Sequence, residues 1–290
     1  MIEFLRKLFY PITAPINFIQ NHFKAMVFLL ILILLFGDTN SEDLQQHNVE
    51  KISLVGPIFD VSEVIEQLDD AATNSNVKGV LFEVNSPGGA VAPSVELAYA
   101  VKRLQEVKPV VVYSGGMLAS GGYYASVWAD KIVANPGAMV GSIGVIMHGA
   151  NLEEIMQKIG IKSQIIQAGA FKQVGTSDRE WTKEERGELD KVIQDTYNMF
   201  VANVADGRDL NISNAKDFAN AHIFTASQAK EVGLVDELGV EYDAKNLLVE
   251  LSGVDVPIWN KADKIDEFMK KLTSQGASML HVYFPSLTMK

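Results

Sequence analysis

The stretch GVLFEVNSPGGAVAPSVELAYAVKRLQEVKPVVVYSGGMLASGG, residues 79–122, decides the fold. It opens on Gly79–Val84, an apolar run too short for a helix and rich in β-branched and aromatic side chains, which reads as a strand. Ser94–Glu106 follows with helical periodicity, and Val110–Tyr113 is a second apolar run. A strand, a crossover helix and a strand at this spacing imply two parallel neighbours in one sheet. Both strands exit into glycine, first at Asn85-Ser86-Pro87-Gly88-Gly89 and then at Ser114-Gly115-Gly116. Functional groups on a parallel sheet gather beyond the carboxyl ends of its strands. The chemistry is therefore expected in these two loops.

Working outward, the same alternation continues on both sides. Further strands are expected at Lys51–Val55, Lys131–Ala134, Val140–Met147 and Ser163–Gln167. Helices are expected at Val61–Thr73, Ser120–Trp128 and Leu152–Ile159, and a long one from Thr182 to about Ala205. The long helix has a marked start, because Thr182-Lys183-Glu184-Glu185 fits a capping box with acids in the first turn. The expected class is α/β, a mostly parallel sheet with covering helices.

The composition narrows the function. The chain has 290 residues, 48% of them hydrophobic and 21% charged, with a net charge of −11 and no cysteine. That excludes a disordered chain, a disulfide framework and thiolate metal sites. It also argues against nucleic acid, which is held by clustered positive charge. The first 37 residues are a case apart, since 25 of them are hydrophobic and Ala25–Phe36 is apolar without interruption. Counted from Pro15, the segment would rise roughly 33 Å as a helix, enough to cross a bilayer. Arg6, Lys7 and Lys24 precede the apolar run, and no further Lys or Arg occurs before Lys51. Positive-inside then leaves the long C-terminal part outside the cytoplasm. Two readings stand, a retained anchor and a cleaved signal peptide; the sequence Leu35-Phe36-Gly37-Asp38 lacks a small-x-small cleavage pattern and favours the anchor. The expected layout is a cytoplasmic N-terminus at 1–14, a transmembrane anchor at 15–37 and a polar linker at 38–48. A catalytic domain at 49–255 and a tail at 256–290 complete it.

Each glycine-rich loop carries two readings. Gly88 and Gly89 are either a tight turn or a pair of amides aimed at a developing negative charge. Ser120, before Gly121 and Gly122 at a helix start, is either an N-cap or a nucleophile. Two such loops one βα unit apart favour the functional pair. A serine nucleophile needs a base. One candidate is His148, with Asp190 or Asp195 to orient it. The other is Lys172, the sole charged residue between Ser163 and Ser177. A lysine becomes a base in a dry pocket, where burial favours the neutral amine.

Four motifs in order, Asn85-Ser86-Pro87-Gly88-Gly89, Ser120-Gly121-Gly122-Tyr123-Tyr124, Gly141-Ser142-Ile143-Gly144-Val145 and Phe171-Lys172, resemble the signal peptide peptidase A (protease IV-like) family in its short, single-copy form. The resemblance runs from about Lys51 to Val240. It implies a Clp protease/crotonase-like βαβ superhelix behind an N-terminal transmembrane helix, and serine endopeptidase activity with no cofactor and no metal. It further implies Ser120 as nucleophile, Lys172 as general base, Ser142 orienting the lysine amine, and oxyanion amides from Gly88, Gly89 and Gly121. Implied partners are apolar peptides such as signal peptide remnants, membrane lipid around 15–37, and further copies of the chain. His148 and the segment Ala221-His222-Ile223-Phe224-Thr225 depart from the family pattern, the latter where a Gly-Arg pair is expected. A crotonase-like acyl-CoA enzyme shares the fold but would need a carboxylate base.

Overall fold

A computed structural model of the chain describes residues 22–29 and 46–260. The chain divides into two units, Met1–Gln46 and His47–Lys290. In the first, residues 22–29 form a helix, α1. The rest of the expected span 15–37 lies outside the described residues, and among these no helix is long and apolar enough to cross a membrane.

The second unit is built on a five-stranded sheet, β1 (Glu50–Val55), β2 (Val80–Asn85), β3 (Val110–Ser114), β5 (Lys131–Ala134) and β8 (Glu237–Leu238), in that spatial order. Every pairing in it is parallel. The alternation of the strands explains its two cores. Val80, Phe82 and Val84 of β2 join one cluster with Leu97 and Val101 of α3 (Val91–Gln105), alongside Leu68 of α2 (Ser62–Thr73). Leu81, Val111 and Val133 point the other way, against Ala244 and Leu248 of α9 (Glu241–Ser252). A parallel sheet covered on both faces accounts for strands that read as continuous apolar runs. Each fully buried Leu or Val contributes about 1.5–3 kcal/mol relative to exposure.

A second sheet of three short strands stands at the carboxyl end of the first. In it β6 (Met139–Gly141) pairs in parallel with β4 (Met117–Ala119) and antiparallel with β7 (Ile223–Thr225). The two sheets meet where Ser86, just past β2, bridges to Leu118 of β4. Short helices α4 (Gly121–Ser126), α7 (Ala215–Phe218) and α8 (Ala226–Glu231) fill the corners. Beyond α9, the first residues of the expected tail close on the start of β1. Asn48 Nδ2 donates to Val256 O, and the Ile258 amide returns a 2.7 Å bond to Asn48 Oδ1.

Two expected strands are corrected. Val140–Met147 is a strand only as far as Gly141, because Gly141 and Ser142 have φ of 110° and 51°, which turns the chain off the ladder. Ser163–Gln167 forms no strand, since nothing pairs with it and its side chains are exposed. Residues 142–182 instead make an arm with a single helical turn and a half, α5 (Glu153–Lys158), before the long helix α6 (Lys183–Gly207). The capping box at Thr182 is present, with the Glu185 amide donating to Thr182 Oγ1 and the Thr182 amide donating to Glu185.

Candidate active site

The loop after β2 is held on three sides. Asn85 Oδ1 accepts the Met117 amide at 3.0 Å, and the buried Ser86 exchanges backbone bonds with Met117 and Ala119. On the far side, Ile58 donates its amide to Gly88 O and accepts from Ala90. This approach leaves no room for a side chain at Gly89, where a Cβ would lie 2.1 Å from Ile58 O. Gly88 has φ of 95°, and its N–H donates to Ser86 Oγ at 3.1 Å. The amides of Gly89 and Gly121 have no acceptor among the described residues, and a Cβ on Gly121 would sit 3.3 Å from Gly89 N. Two free amides thus lie side by side.

Ser120 faces them. It occupies the N-cap position of α4 with φ 50° and ψ −123°, yet its side chain makes no capping bond. The backbone is fixed instead, by Ser120 N–H to Gly141 O at 2.8 Å and Tyr124 N–H to Ser120 O at 2.9 Å. A non-glycine residue in this region is strained, and such residues cluster at functional sites when the surroundings hold them there. Ser142 repeats the pattern one residue beyond the Gly141 carbonyl, with φ of 51° and its N–H on His222 O at 2.7 Å. Of five non-glycine residues with positive φ among the described residues, four lie in or beside this site: Ser120, Ser142, Asn220 and Ala221.

The serines open on one cavity of about 290 Å³. Its walls are mostly apolar, from Val91 and Val95 of α3, Tyr124 of α4, and Met199 and Phe200 of α6. Tyr124 stacks edge-on against Phe200 and hydrogen-bonds Asn203, and its phenol is pushed up by burial, with the Asn203 bond acting in the opposite sense. The arrangement can place a carbonyl beside Ser120 Oγ, hold the resulting oxyanion on amides, and bury an apolar side chain.

Of the candidate residues, the structure brings together Ser120, Ser142, Gly88, Gly89 and Gly121. Lys172 is exposed on the arm and does not line the cavity of its own chain. Nor does His148, which sits in a separate recess with Arg179 and Trp181; Asp190 and Asp195 are exposed on α6. Among the described residues no group of three or more His, Asp or Glu side chains is placed to hold a metal ion. Sequence reasoning missed the contribution of α6 to the cavity wall. The capping box located that helix but carries no information on which turn passes the site.

A parallel α/β sheet that presents a poised serine opposite unpaired amides has the layout of a serine hydrolase. The sequence model of peptidase family S49 matches residues 102–255. The chain belongs to that family. It is 46% identical over 198 residues to a candidate protease of Methanocaldococcus jannaschii, an alignment covering 68% of this chain and 64% of that one. It is 32% identical over 225 residues to a candidate signal peptide peptidase of Enterococcus faecium, covering 73% and 65%. The alignments thus span just under two thirds of either relative. An alanine mutant of a membrane-bound stomatin-specific protease superposes with a TM-score of 0.52 at 16% identity, covering 76% of this chain and all of that one. At that identity the likeness concerns the fold alone.

Proposed function

We propose that the chain cleaves apolar peptides at a membrane with Ser120 as nucleophile and Lys172 as general base. The observation that carries the reading is the strained, uncapped Ser120 beside the free amides of Gly89 and Gly121. As Ser120 Oγ bonds to the peptide carbonyl carbon, its proton passes to the neutral amine of Lys172, which Ser142 orients. The oxyanion rests on the two amides, and Gly88 supplies the space for it. Collapse breaks the C–N bond while lysine protonates the leaving amine. Water then repeats the sequence on the acyl group and restores Ser120.

Since Lys172 lies outside its own chain's cavity, the base reaches Ser120 from the arm of a second copy. The exposed apolar side chains of the arm, among them Ile155, Ile159, Ile161, Ile166 and Phe171, support association. The apolar run at 25–36 supports tethering to a membrane, and the relative from Enterococcus supports signal peptide remnants as substrates.

One experiment tests both the pair and its source: hydrolysis of a fluorogenic apolar peptide by Ser120→Ala, by Lys172→Ala and by a refolded mixture of the two. Each variant alone is expected to lose at least about 1,000-fold in kcat. The mixture is expected to regain a fraction of the activity, because one copy supplies the serine and the other the lysine. Full activity in Lys172→Ala would remove lysine as the base. Inactive variants with an inactive mixture would place the pair within one chain.

A further inference from the structure

The bend Ala219–His222 is one feature of the site that the catalytic reading leaves unused. Asn220 and Ala221 have consecutive positive φ, 60° and 57°, a backbone that glycine or asparagine adopts far more readily than alanine. Two neighbouring elements hold it in place. The Asn220 amide donates to Tyr197 Oη of α6 at 3.1 Å, and the Ala221 amide donates to Ile143 O at 2.9 Å. The backbone is therefore fixed by bonds that do not depend on the side chain at 221.

Ala221 lines the Ser120 cavity together with Ser142 and Gly144. A Cβ built on Gly144 would lie 2.8 Å from the Ala221 methyl, so the two positions compete for one space, and glycine at 144 leaves it to Ala221. Among the apolar side chains of the wall, Ala221 is the smallest; its companions are valine or larger, apart from Pro87. A single methyl thus stands at this part of the wall, at a position where removing it would also relieve the backbone.

We infer that Ala221 is a specificity-determining residue, whose methyl sets the size of the side chain accepted beside the scissile bond. The inference rests on the peptidase reading above and deepens it. Position 221 also permits an unusually clean test, because glycine and asparagine both tolerate positive φ while one removes bulk and the other adds it.

The intact chain, Ala221→Gly and Ala221→Asn are assayed on two fluorogenic peptides that differ only in carrying Phe or Ala before the cleaved bond. Ala221→Gly is expected to raise the Phe-to-Ala ratio of kcat/KM about tenfold, and Ala221→Asn to lower it by a similar factor. A shift of both ratios in the same direction would mean that the bend acts through backbone strain on Ser142, and would overturn the inference. So would ratios unchanged within about twofold in both. Should the asparagine variant fail to fold, the glycine variant decides alone: a Phe-to-Ala ratio that rises more than about twofold supports the inference, and one that falls or stays within about twofold overturns it. An unmodified chain that cleaves neither peptide would instead bring down the peptidase reading, and the specificity claim with it.

Discussion

A methyl group at Gly88 would lie 2.7 Å from Ser120 Cβ and 2.6 Å from the Gly121 amide nitrogen. The atoms it would strike are the Cβ of the proposed nucleophile and one of the two unpaired amides, and φ of 95° adds backbone strain. Gly88→Ala is therefore expected to lower kcat/KM by about 100-fold or more, the scale of losing an oxyanion donor, with the circular dichroism of the fold retained. Activity within threefold of the unmodified chain would show that the loop does not shape the site. Much of the residue-scale picture was legible in the sequence, for glycine pairs after apolar runs declare close approach, and Ser120 stood between two such signals. Ala221 was not legible. The departure from a Gly-Arg pair marked the segment, but its role depends on a φ held by bonds to Tyr197 and Ile143, which the letters do not encode.

Among the elements, α6 and the arm before it depend on one carboxylate. Glu185 is about 5% exposed, caps the helix through the Thr182 amide, and accepts from the two terminal guanidinium nitrogens of Arg179 at 2.6 and 2.8 Å. The Arg179 hydrogen bond, followed by that from Thr182, holds its carboxyl down to about 2. Because the folded value is depressed, the stabilisation is fully present above the ordinary glutamate range near 4.5 and is lost as pH falls from there toward 2. Amide exchange across residues 176–186 is thus expected to be constant from pH 7 to 5, after correction for intrinsic rates. Between about pH 4 and 2 it is expected to accelerate, and Glu185→Gln should show the faster exchange at neutral pH. A protection profile in Glu185→Gln indistinguishable from the unmodified chain would remove this latch. The sequence announced the helix through its capping box but overextended the strand before the arm. Val140–Met147 has the composition of a strand throughout, yet a strand lasts only as long as its ladder, and the left-handed turn at Ser142 ends it.

At the scale of the molecule, a parallel sheet with both faces covered carries the cavity at its carboxyl end, where the residues that follow β2, β4 and β6 converge with α3, α4 and α6. The parallel sheet followed from repeated strand–helix units, whereas β8 and the second small sheet did not, since strands of two or three residues leave almost no periodic signal. The arm exposes Ile155, Ile159, Ile161, Ile166 and Phe171, and the proposed assembly would give these side chains a purpose, since it would carry Lys172 to a neighbouring Ser120. That arrangement stands or falls on Ser120 being the reactive group. The most direct measurement is the intact mass of the chain after exposure to a peptidyl fluorophosphonate, with the adduct mapped by fragmentation. The account expects one adduct per chain, on Ser120, absent in Ser120→Ala and formed much more slowly in Lys172→Ala. No adduct on the active chain, or one that persists in Ser120→Ala, would contradict it.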